Sequence, residues 1–382
     1  MTRFVLFLCG ILWTFPGHAQ DTSSPCTIKR MGNMLEFKVG DHAVGQYLFD
    51  PSQPRPHFHP LYSLEGKPLT RAFPMQKDVP GETKDHVHHR GCWVGHQIVM
   101  LAAKEEGQKP INANFWAEAV NPAQQQLGKQ ICTKVEEAHN GPGHAWVVTH
   151  NTWQTASGTK ILVEKRTLHL VSLGGAHLVI FDIDFHASEG DITFGDEKDG
   201  FMAIRVADVM AEKSKKGGLL ENAEGKQHMG TGDNKDRKGC WGLRSAWVDY
   251  SGSVEEKPVG VALLDHPRNP IPACWHARDY GLLTANPFGR KGSKFPDAQG
   301  DVARLKAGEH MTFRYGVLIH AGNAQAGKVT EHYQAFVRLE NQPQQLARTV
   351  MAGQPVLGET SCPAIPQRRL GGLLFPRRNS HR

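Results

Sequence analysis

The sequence predicts an all-β fold, a large antiparallel β-sandwich. Two observations carry that expectation. Between about residues 34 and 350 turn signals recur roughly every ten residues, and the segments between them alternate apolar and polar side chains with a period of two. Gly and Pro, 40 and 23 residues, gather in irregular stretches such as 50–82 and 212–240, which read as loops mounted on a rigid sheet scaffold.

Taken in order, the chain opens with Arg3, the apolar run FVLFLCGILWTF and the small residues Gly17 and Ala19, the pattern of a secretory signal peptide over 1–19. The run is about a dozen residues, short of the roughly 18 to 20 that span a bilayer, and no later segment is long enough. A secreted or periplasmic protein without a membrane span is therefore expected. Residues 20–350 are expected to form one β-sandwich domain, since all-β folds of this length commonly share a single core.

Strands are predicted in WVVTHNTWQT, KILVEKRTLHLV, AHLVIFDIDFHAS, FMAIRVA, VGVALLDH and HMTFRYGVLIH. In the third, Val179, Phe181, Ile183 and Phe185 share one face; in the last, Met311, Phe313, Tyr315, Val317 and Ile319 do. The one helical period lies in VTEHYQAFVRLE, where Val329, Tyr333, Phe336 and Val337 fall on one side. Residues 351–382 form a basic tail, expected to be disordered.

Charge and cysteine narrow the function classes. The formal net charge is +6, but Arg368, Arg369, Arg377, Arg378 and Arg382 lie in the tail and Arg3 in the leader, so the body is near neutral. A nucleic-acid face is not indicated. Beyond Cys9, six cysteines (Cys26, Cys92, Cys132, Cys240, Cys274 and Cys362) lack CxxC spacing and are consistent with pairing or with isolated buried thiols.

Chemistry concentrates in GETKDHVHHRGCWVGH, where His86, His88, His89 and His96 sit beside Glu82, Asp85 and Arg90. Imidazole carries protons near neutral pH or, when neutral, holds a transition metal. If HVHHRGCWVGH begins as a strand, His86 and His88 share a face and, with His96, form a candidate divalent-metal set; His59 lies farther off as another ligand candidate. A cupin-type HxH would need a glutamate where this chain has Cys92 and Trp93.

Further blocks, RPHFHPLYS, FWAE, FGDEKDGFMAIRVA, WVDYSG, DHPRNP and WHARDYGLLTANPFG, set aromatics beside charged or amide groups. Aromatic faces stack on sugar C–H faces while carboxylates, Arg and Asn bond hydroxyls. The catalytic candidates are His88, His89, Arg90, Glu82, Glu118, Arg205 and His276. His59, Trp93, Trp116, Asp196, Trp275, Arg278 and Asn286 are the candidates for binding substrate.

These blocks, with RPHFHPLYSLEGKPLTRAFPM and PGETKDHVHHRGCWVGH, together resemble the PmoA-like family of bacterial proteins over roughly residues 34 to 340. The family's "methane oxygenase" label comes from an integral membrane subunit, and a chain without spanning segments does not inherit that activity. By fold-level analogy the strand-rich body is similar to galactose-mutarotase-like sandwiches, which bind sugars and use His with a carboxylate as acid and base.

The leading expectation is an exported protein that acts on a carbohydrate or sugar derivative, as an epimerase, lyase or hydrolase. His88 or His89 would move a proton, and Arg90 or Arg205 would steady negative charge. The alternatives are a His-ligated metalloenzyme such as an oxygenase, and a non-catalytic carbohydrate-binding module. A small molecule or glycan is the expected partner.

Overall fold

A computed structural model describes residues 24–231 and 235–339. The segment 1–19 expected to be a leader, the basic tail expected over 351–382, and Cys362 lie outside the described residues. What is described is a two-sheet β-sandwich whose regular secondary structure is nearly all strand, as the periodicity predicts. No described helix is long and apolar enough to cross a membrane.

One sheet has nine strands, in the spatial order Cys274–Ala277, Leu282–Asn286, Gly200–Arg205, Cys92–His96, His57–Leu61, His42–Leu48, Met34–Val39, Pro25–Met31 and Gly141–Pro142. The other has twelve, with Lys257–Asp265, His310–Ala321, Ala176–His186, Lys160–Leu173 and His144–Thr155 side by side at its centre. Pairing among the described strands is antiparallel except between Ile111–Asn114 and Gln126–Val135.

Strand alternation decides which residues make the core. Val179, Phe181, Ile183 and Phe185 point between the sheets, as do Phe313, Tyr315, Val317 and Ile319 across the ladder from them. The intervening Leu178, Ile180 and Leu318 point the other way and meet the helix Val329–Arg338 through Val329 and Phe336. Fully burying such a side chain contributes about 2 kcal/mol. That far-side cluster explains why the helix is apolar on one side: that side covers the outward-facing Leu178, Ile180 and Leu318.

A polar network also joins the sheets. Arg166, fully buried, donates to Glu164 through Nε (2.5 Å) and Nη2 (2.9 Å), and through Nη1 to the Tyr47 hydroxyl of the opposite sheet (2.8 Å). Trp153 Nε1 completes the Glu164 shell at 2.6 Å. Each donor and acceptor therefore has its partner, which a buried charge requires. Cys92, Cys132, Cys240 and Cys274 are free thiols.

Candidate functional site

Gly91 shapes the entry to the site. Its φ is +58°, and a Cβ there would lie 2.1 Å from the Phe58 carbonyl oxygen, so only glycine lets the chain turn into the strand Cys92–His96. Just before it His86 is also left-handed (φ 44°), and the His89 N–H donates to the His86 carbonyl at 2.9 Å. The histidine run is therefore a turn, and the expected HxH strand face does not form.

Three arginines, each at most 1% exposed, tie this turn to the sheet. Arg71 donates to the Asp85 carboxylate and to the His86 carbonyl (2.9 Å). Arg55 donates to the carbonyls of His88 (3.0 Å) and Trp116 (2.7 Å). Arg205 reaches Asp85 (3.1 Å), Asp208 (3.5 Å) and His89 Nδ1 (3.2 Å). Charge-assisted bonds of this number make the turn a rigid part of the sheet's outer surface.

Register places the site on the outer face of the nine-stranded sheet. Cys92, Val94, Met202 and Ile204 point into the core, so Trp93, Ala203 and Arg205 point outward, with Thr284 and His276 beside them and His57 across from Trp93. Rings stack upward from this face: Trp93 on His89 (5.4 Å between centroids), His89 on His86 (4.6 Å), and His86 on Tyr280 (5.0 Å). The guanidiniums of Arg205 and Arg278 lie 4.9 and 5.3 Å from the Tyr280 ring.

Within this frame the histidines differ in chemistry. Burial, the neighbouring His88 and the Arg205 charge hold His89 far below the ordinary imidazole range. Its Nδ1 accepts from Arg205, so it is a neutral positioning ring, contrary to its expected role as a proton carrier. His276, 1% exposed, donates Nδ1–H to the Lys198 carbonyl at 3.0 Å, which leaves the Nε2 lone pair without a partner in the protein. Burial brings its pKa down to about 4, and the Asp199 carboxylate, 3.6 Å from Nδ1, opposes that fall.

His88 is pushed to about 4, chiefly by burial and then by Arg55 and His86, with Asp199 and Glu118 pulling upward. Asp199 thus acts on both His88 and His276. Tyr280 is raised by burial and keeps its proton. His57 Nε2, His59 Nε2 and Trp93 Nε1, all on or beside this face, are likewise buried without a partner in the protein. Ring faces interleaved with unsatisfied polar atoms suit a polyhydroxylated ligand.

Several expected roles change. Glu82 accepts the backbone N–H groups of Ala72 and Phe73, both at 2.8 Å, and is a loop brace. Arg90 and Glu118 hold each other in a two-bond pair at 2.6 and 2.8 Å, so neither is free to steady a substrate. Arg205 spends its charge on Asp85 and Asp208. Asp196 caps the loop 290–293 through Arg290 N, Gly292 N and Ser293. Asn286 bonds the carbonyls of Glu197 and Lys198 (both 2.9 Å) and orders Phe288 and Gly289.

Trp275 lies one residue from His276 and so points into the core, with Nε1 on the Ser245 carbonyl. Trp116 packs on Trp93 and borders His88. Arg278 stacks between Trp241 and Tyr280. The metal set does not assemble: His96 is on the inner face, bonded to the Gly195 carbonyl (2.8 Å), whereas His86 and His88 stand on the outer one. Among the described residues no group of three His, Cys, Asp or Glu could hold a metal ion.

Five contributors escape the sequence reading: Arg55, His57, Arg71, Asp199 and Tyr280. Asp199 and Tyr280 stand within the aromatic and charged blocks FGDEKDGFMAIRVA and WHARDYGLLTANPFG, and that was their only signal.

A model of a family of unknown function, DUF6807, matches residues 34–334. The chain belongs to that family. No curated protein matches it. Solved structures that resemble it include a galactose mutarotase-like protein from Clostridium acetobutylicum (10% identity, TM-score 0.38, covering 78% of this chain and 98% of that one). A second is a galactose mutarotase-like protein from Lactobacillus casei (8%, 0.34, 77% and 100%). A third is the family 36 α-galactosidase AgaA from Geobacillus stearothermophilus (8%, 0.40, 78% and 42%). The chain thus spans about two fifths of that galactosidase's length.

Proposed function

We propose that this protein acts on a carbohydrate or sugar derivative at the outer face of its nine-stranded sheet, by proton transfer of the epimerase, lyase or hydrolase kind. The observation that carries the reading is His276: buried, with its tautomer fixed by the Lys198 carbonyl and its Nε2 lone pair unpartnered. At pH 7 that imidazole is neutral, so its lone pair is available to a proton passed directly from a bound substrate. The Tyr280 phenol, held protonated, is the donor, and His88 is the second group able to carry a proton. Trp93 and Trp116 supply apolar ring surface beside them. Export to the periplasm or medium, read from the leader, belongs to the same proposal.

The test is a screen of sugars, uronates and glycans with products followed by NMR, which separates epimerisation, elimination and hydrolysis. His276→Asn keeps a donor for the Lys198 carbonyl and removes the base. We expect it to lose about 100-fold or more in kcat, and His88→Ala to lose activity too, with both proteins folded. Full turnover in both variants would remove the proposal. Binding without turnover in the parent would favour the non-catalytic module.

A further inference from the structure

The twelve-stranded sheet carries a second constellation, independent of the site above. A concavity of about 470 Å³ opens on its outer face, with Trp146, Lys165, Asp182, Asp184, Arg268 and Arg314 among its lining. Arg314 is 2% exposed. Its Nη1 donates to both oxygens of Asp182 at 2.8 and 2.7 Å, while Nε and Nη2, the two N–H groups along one edge of the guanidinium, have no partner in the protein.

The rest of the neighbourhood holds that edge still. His169 Nε2 lies 3.0 Å from the second Asp182 oxygen and His144 stands behind it at 3.1 Å, so the carboxylate that anchors Arg314 is itself fixed. Asn269 bonds the Arg314 backbone N–H at 2.7 Å and its carbonyl at 2.9 Å. Phe336 of the helix lies 5.6 Å from the guanidinium carbon and covers its face. The acids around the concavity already have cationic or imidazole partners: Asp184 has His310 (2.8 Å), and Glu136 has His150 (2.8 Å) and Lys134 (3.1 Å).

We infer that this concavity binds a carboxylate-bearing sugar. The paired Nε and Nη2 groups of a buried arginine match the two oxygens of a carboxylate in a planar fork. The Trp146 indole, stacked on one side by His139, supplies an aromatic surface for the sugar ring. Lys165 and Arg268 add positive charge to the rim.

The probe is glucuronate, titrated calorimetrically into the purified chain beside glucose. Glucuronate is expected to bind about tenfold or more tightly than glucose, and to lose about tenfold in Arg314→Lys, which keeps the charge and loses the fork. Trp146→Ala, a change in a half-buried residue, is expected to weaken binding similarly and covers the case in which Arg314→Lys fails to fold. Equal affinity for glucuronate and glucose overturns the inference. Unchanged glucuronate binding in whichever of the two variants keeps the parental melting temperature overturns it as well.

Discussion

At the scale of single residues, a histidine's neighbours decide its use more than its place in a cluster. His89 has the most histidine company and is the least able to take a proton, because Arg205 and its own burial both oppose the charge. His276, isolated in sequence, keeps an unpartnered nitrogen. With His276 and His88 both near 4, each is neutral at pH 7 and gains a proton only as pH falls toward that value. The base is therefore lost on the acid side well below the usual imidazole range. We expect kcat/KM on the substrate found by screening to hold level from pH 7 to about 5.5 and to fall below about 5. A fall centred near 6.5 would assign the proton step to a different group.

At the scale of elements, glycine and sheet parity position the site. Gly91→Ala would drive a Cβ against the Phe58 carbonyl at a positive φ, and the turn it displaces carries His86, His88 and His89. We expect it to destabilise the fold by about 2 kcal/mol or more in urea unfolding and to weaken ligand binding at the same time. Tyr47→Phe tests the tie between sheets: it leaves Arg166 Nη1 without its acceptor, an expected cost of about 1–3 kcal/mol by the same assay, with the secondary structure unchanged by circular dichroism.

The same parity explains what was legible in the sequence. Period-two runs such as Val179 to Phe185 reveal strands because one face must be apolar to fill the core, and the helix from Val329 shows for the same reason. The site was only partly legible. Trp275 and His276 read alike in sequence, and it is pairing to the strand Leu282–Asn286 that turns one inward and the other outward. His86 to His89 carry no sign in their side chains that their backbone turns at a positive φ. Asp199 gains its role from strands distant in sequence, and chain spacing does not encode that meeting.

At the scale of the whole molecule, the buried histidines couple the fold to pH. His57 is pushed to about 3 and His96 and His276 to about 4, each chiefly by burial, and each sits at 1% exposure or less. In the unfolded chain they titrate near 6.5. Between pH 6.5 and 4 the unfolded state binds protons that the folded state refuses, so folding stability declines as pH falls through this window. Asp265 acts oppositely: burial raises it to about 6, so its contribution is complete below pH 3.8 and fades as pH rises through 6. One carboxyl does not offset three imidazoles. The melting temperature followed by calorimetry should therefore decline steeply from pH 6.5 to 4 and change little from 7 to 8. His57→Gln and His276→Asn, which cannot take up that proton, should each flatten the acid limb, and a parental slope in both would show that other groups set the acid response.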